Sequence, residues 1–131
     1  MLNDHIRQII ENEILQDSDF INIDSTDIEH FIKDINKIEV KSFECTVDEI
    51  SNNFNQSLLD IQNNNIGYKL SKLLFLIKLS DLKAISLEDL SFIEKMKDDY
   101  SDNIECIWGM SVDNLMSTKV VKLIVLYGLI N

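Results

Sequence analysis

The chain has 131 residues, 45% of them hydrophobic and 27% charged, a balance that suits one folded domain spanning residues 1–131 rather than a disordered or membrane protein. Twenty-three acidic side chains against twelve basic ones leave a net charge of -11, which repels the phosphate backbone of nucleic acid and anionic lipid. The opening MLNDHIRQII has no basic lead before an apolar stretch, and no apolar run approaches the roughly 18 to 20 residues of a spanning helix, so no membrane insertion and a cytoplasmic location are expected.

Ile6, Ile9, Ile10 and Ile14 recur at helical spacing, so a first amphipathic helix is predicted from about Asp4 to Gln16, ended by the acidic Asp17-Ser18-Asp19. A second is marked by Ile28, Phe31, Ile32 and Ile35, entered through Asp24-Ser25-Thr26-Asp27. The segment KIEVKSFECT alternates at Ile38 and Val40, then shifts phase to Phe43 and Cys45, which predicts a strand with a bulge near Lys41-Ser42. Val47, Ile50, Phe54 and Leu58 return to a helical period. After the turn-like Asn63 to Gly67, the run KLLFLIKL from Lys72 to Leu79 has the continuity of a strand buried on both faces, and so of the sheet centre. Ser86-Leu87-Glu88-Asp89 resembles a capping box leading into a helix with Leu90, Ile93, Met96 and Tyr100. Ile104, Cys106, Trp108, Met110 and Val112 alternate as a strand, and Lys119 to Tyr127 gives a last, more apolar one, joined to it by a short turn. The order α-α-β-α-β-α-β-β predicts an α+β fold with a mixed four-stranded sheet covered by helices. Phe31, Ile32, Leu74, Leu76, Ile93, Trp108 and Ile124 are the expected core.

Cys45 and Cys106 are the only cysteines, each within an apolar segment, which favours reduced, buried thiols. His5 and His30 stand apart from them, so no zinc-ligand spacing exists. The carboxylates of Asp17, Asp19, Asp24 and Asp27 lack the regular spacing and turn glycine of a calcium loop, and no metal site is assigned. Gly67, Gly109 and Gly128 are the only glycines, each isolated, so the sequence holds no backbone cradle for phosphate.

Within Phe20 to Ile28, Asn22, Asp24 and Asp27 make an N-x-D-x-x-D pattern. Near the end, Trp108-Gly109, Val112-Asp113 and Val125-Leu126-Tyr127-Gly128 supply an aromatic-Gly, an apolar-Asp and an apolar run closing in Gly. In both blocks, and in the element order between them, the chain resembles the C-terminal domain of FtsZ, the cell-division GTPase of the tubulin/FtsZ family. The first block is similar to the loop after that protein's long central helix, of which residues 1–16 match only the end.

The resemblance implies an assembly domain without the GTP-binding domain, no enzyme on its own, but able to complete a GTPase site in trans. Asp24 and Asp27 would enter the nucleotide site of a neighbouring subunit and position or polarise the attacking water, with Asn22 contacting the loop or the nucleotide. GTP and magnesium would belong to that subunit, and no cofactor to this chain. The implied partner is an FtsZ-type subunit, or a second copy through self-association. Read from the residues alone, Asp24 caps the second helix and Asp27 favours its positive end. The alternative function is a stand-alone regulator or a small-molecule-binding α+β domain unrelated to GTP hydrolysis.

Overall fold

The isoleucine stripe at the amino end forms one continuous helical segment. Asn3 caps it, its side chain accepting from the Ile6 N–H at 2.8 Å. The segment is α-helical over Asp4–Ile9 (α1) and winds on as a π-helix over Ile10–Ile14, where the Leu15 N–H reaches the Ile10 carbonyl at 2.9 Å. An α-helix lets an i, i+4, i+8 stripe drift around its axis, and the wider π turn draws Ile14 back into line with Ile6 and Ile10. All three are buried.

This computed structural model describes residues 3–15, 21–81, 88, 91, 104–113, 115–117 and 120–131. After α1 come α2 (Ser25–Ile32), β1 (Lys37–Cys45), a 3₁₀ turn at Val47–Glu49 running into α3 (Ile50–Asn64), β2 (Lys69–Leu79), β3 (Glu105–Val112) and β4 (Val121–Ile130). The expected helix of residues 86–100, and Ile93 with it, lies outside the described residues apart from Glu88 and Ser91. So do Asp17 and Asp19.

The strands form one mixed sheet in the order β1-β4-β2-β3, with β4 antiparallel to both β1 and β2, and β2 parallel to β3. The fold is α+β. On one face, Leu73, Phe75 and Ile77 of β2 and Leu123, Val125 and Tyr127 of β4 lie under Ile50, Phe54, Leu58 and Ile61 of α3. On the other, Leu74, Leu76, Ile124 and Leu126 lie under α1 and under Ile28 and Phe31 of α2. Both faces of β2 and β4 are therefore covered, which is why their sequences read as unbroken apolar runs. Of the expected core, Phe31, Leu74, Leu76 and Ile124 are buried, whereas Ile32 and Trp108 are half-buried.

Two sequence expectations are corrected. β1 has no bulge: its register with β4 is uninterrupted from Lys37↔Leu129 to Cys45↔Val121. The phase shift arises because Ile38 and Val40 face the α1/α2 layer while Phe43 and Cys45 face the α3 layer. A strand covered on opposite faces at its two ends changes hydrophobic phase without changing register. The irregular step is in β2 instead, between Leu70 and Lys72. Secondly, the last two strands are not paired with each other across a short turn, since β2 lies between β3 and β4. Cys45 and Cys106 stand on opposite edge strands, separated by roughly 14 Å across the sheet at about 4.8 Å per strand and by roughly 20 Å along it at about 3.3 Å per residue, too far for a disulfide. Neither is in a disulfide, Cys45 being buried and Cys106 half-buried.

Candidate functional site

Residues 21–24 cross the outer side of β3 before entering α2. Ile21 forms a bridge to Met110, its N–H donating to the Met110 carbonyl at 3.2 Å and its carbonyl accepting from the Met110 N–H at 3.0 Å. Ile23 turns inward and is 3% exposed. It fits because Gly109 has no side chain: a Cβ there would lie 2.8 Å from Ile23 Cγ1 and 2.9 Å from the Ile21 carbonyl oxygen. The glycine of the carboxy-terminal block thus makes room for the amino-terminal block, and the two segments touch.

Beyond Ile23 the chain enters α2 through a reciprocal cap. The Asp27 N–H donates to Asp24 Oδ1 at 2.9 Å, and the Asp24 N–H donates to Asp27 Oδ2 at 3.0 Å. Two backbone donors without helical partners are satisfied, and two carboxylates sit at the positive end of the helix dipole. Asp24 is exposed and Asp27 half-exposed, so each also keeps a carboxylate oxygen outside the cap at the surface. Asn22, one residue after the bridge, is exposed as well. The structure therefore brings Asn22, Asp24 and Asp27 together on one short, anchored segment.

The far end of α2 is fastened by a residue that the sequence reading passed over. Lys72 of β2 is 9% exposed, and its Nζ donates to the carbonyls of His30 at 2.6 Å and Lys33 at 2.7 Å. A buried ammonium thus closes the negative end of the helix whose positive end carries the aspartates. In the sequence this lysine looks like one more member of a strand, and only its alignment with the end of α2 gives it that task. At the same end His30 Nε2 lies 2.8 Å from Glu105 Oε2, an exposed pair between α2 and β3.

An open groove of about 410 Å³ lies between α1 and the start of β1, lined by Asn3, His5, Asn36, Lys37, Glu39 and neighbouring apolar side chains. A smaller one runs along α1 past His5, Asn12 and Glu13. The larger groove is at the β1 edge of the sheet, opposite the β3 edge that carries the aspartates. Among the described residues no group of His, Cys, Asp and Glu side chains is gathered to hold a metal ion, and no helix is long and apolar enough to cross a membrane. Gly67 lies in the turn after α3, while Gly109 and Gly128 lie within β3 and β4. No family model matches the chain, and no curated protein matches it.

Proposed function

We propose that this chain is an assembly domain of the FtsZ type, which presents Asn22, Asp24 and Asp27 to the nucleotide site of a neighbouring GTPase subunit. The observation that carries the reading is the mounting of the loop. Ile21 is hydrogen-bonded to the edge strand, Ile23 is seated over Gly109, and the two carboxylates are locked to each other's backbone at a helix start. The order of helices and strands, with the loop leading into α2 ahead of β1, supports it further.

Phosphoryl transfer to water asks mainly for positioning and for management of charge. A carboxylate held against a helix start, with one oxygen engaged and the other at the surface, can accept a hydrogen bond from the attacking water and favour its deprotonation. GTP and magnesium belong to the partner subunit, so the domain by itself is catalytically silent. A copy that engages a filament end through its acidic-loop face, and receives no further subunit, terminates head-to-tail growth at that end.

The test is phosphate release and filament length for a nucleotide-bearing FtsZ-type protein from the same organism, with substoichiometric amounts of this chain added. Wild type is expected to shorten filaments and to support turnover at the junction. Asp27→Ala lowers stimulated turnover by something like 10²-fold where the carboxylate does acid–base work. Asp27→Asn retains a side-chain acceptor for the cap and separates lost chemistry from a lost helix start. If neither quantity responds to the wild-type chain, the assembly reading is wrong.

A further inference from the structure

The two edges of the sheet are not equivalent. The β3 edge is occupied at Met110 by the Ile21 bridge. The β1 edge is bare: among the described residues, the register of β1 runs only with β4, over all nine residues from Lys37 to Cys45. It is long, has no bulge, and belongs to a chain without proline, so charge is what guards it against unselective pairing. What it has is charge of alternating sign on one face, Lys37, Glu39 and Lys41, followed by the half-buried Phe43.

We infer that β1 is a homodimerisation edge, pairing antiparallel with β1 of a second copy about a two-fold axis at Val40. In that register residues whose numbers add to eighty face each other, so Glu39 of each copy meets Lys41 of the other, on the same face of the sheet. Ile38 meets Ser42, Lys37 meets Phe43, and no like charges are opposed. Registers that oppose Lys41 to Lys41 or Glu39 to Glu39 are disfavoured by the same rule. At physiological salt the screening length is about 8 Å, so contact pairs rather than the net charge of -11 decide the register.

Since pairing about a two-fold axis uses the β1 edge of both copies, it closes at two copies and gives an eight-stranded sheet rather than a fibre. The acidic loops, each beside β3, then stand at opposite ends of that sheet, roughly 34 Å apart at about 4.8 Å per strand. The inference is independent of what the loop does.

Sedimentation equilibrium on the full chain over a concentration series tests it. Wild type is expected at twice the chain mass. Lys41→Glu or Glu39→Lys alone should weaken the dimer by roughly tenfold or more, by opposing like charges twice across the axis. The double variant Glu39→Lys with Lys41→Glu should restore it. Circular dichroism of each variant confirms the fold, as both side chains are only half-buried. A wild-type chain that stays monomeric overturns the proposal. So does a dimer indifferent to the single reversals, or one that the double variant does not rescue, either of which places the contact elsewhere.

Discussion

Gly109 shows how one residue sets the position of a loop. Of the two atoms nearest to an added Cβ, Ile23 Cγ1 at 2.8 Å can rotate, but the Ile21 carbonyl oxygen at 2.9 Å is held by its bond from Met110. Gly109→Ala should therefore push residues 21–24 off β3 and cost about 1–3 kcal/mol in urea unfolding. The same variant should shift the amide resonances of residues 21–27 while leaving those of α3 in place. Tyr127 is a second residue whose surroundings decide its behaviour. It is fully buried, and its hydroxyl lies 2.5 Å from Ser57 Oγ, which donates to the Phe54 carbonyl at 2.7 Å. Burial pushes the phenol well above its ordinary value, although the Ser57 hydrogen bond works the other way. Above pH ~10 the unfolded chain releases this proton while the folded chain keeps it. Its contribution to stability is thus complete below that pH and is lost as pH rises further. Tyr127→Phe should flatten the alkaline fall in unfolding free energy, and at neutral pH should cost only about 0.5–1.5 kcal/mol, because Ser57 keeps the Phe54 carbonyl.

At the scale of elements, α2 is held at both ends by different chemistry. Its start has the reciprocal aspartate cap, and its end has the Lys72 ammonium, which reaches the carbonyls of His30 and Lys33 from within the sheet. Lys72→Met keeps an apolar stem of similar reach but leaves those carbonyls without the donor, so a loss of about 1–3 kcal/mol is expected in chemical denaturation. His30→Ala removes only a hydrogen-bonded contact with Glu105 whose side chains are 58% and 56% exposed, and its cost should stay within about 1 kcal/mol. Equal costs would mean that Lys72 is not holding the helix end. The seating of α2 on the other side of β4 follows the same logic. Gly128 leaves space that Ile35 fills, a Cβ there lying 2.9 Å from Ile35 Cδ1. Helix periodicity and strand continuity were legible in α1, α2, α3 and β2 because each has one dominant hydrophobic period. β1 was legible as a strand, but its phase shift reads as a bulge until the helix layer above each end is known.

At the scale of the whole molecule the sheet is buried on both sides, with the residue 21–24 segment bridged to β3 at one edge and, among the described residues, β1 paired only with β4 at the other. The chain's three glycines are isolated in the sequence, one at a turn and two at close packing contacts, so it has no glycine-rich stretch of the kind that cradles a phosphate. Isothermal titration calorimetry of the purified chain with GTP and magnesium should accordingly show no binding in the micromolar range. A micromolar heat signal would require a nucleotide site in this chain and would overturn its assignment as the partner half of a shared one.

The sequence by itself determined the class of the fold, because alternation, helical spacing and continuous apolar runs are local consequences of which faces are buried. It also determined that Asp24 caps α2 with Asp27 at the positive end of the helix, and the structure adds the return bond from the Asp24 N–H to Asp27. Only the tertiary structure decided the order of the strands, with β2 lying between β3 and β4, since the eight residues from 113 to 120 can turn back on β3 or cross the end of β2. It alone decided that Gly109 receives Ile23 and that Lys72 closes α2. Those contacts join residues 86 and about 40 positions apart, a separation that no local pattern encodes.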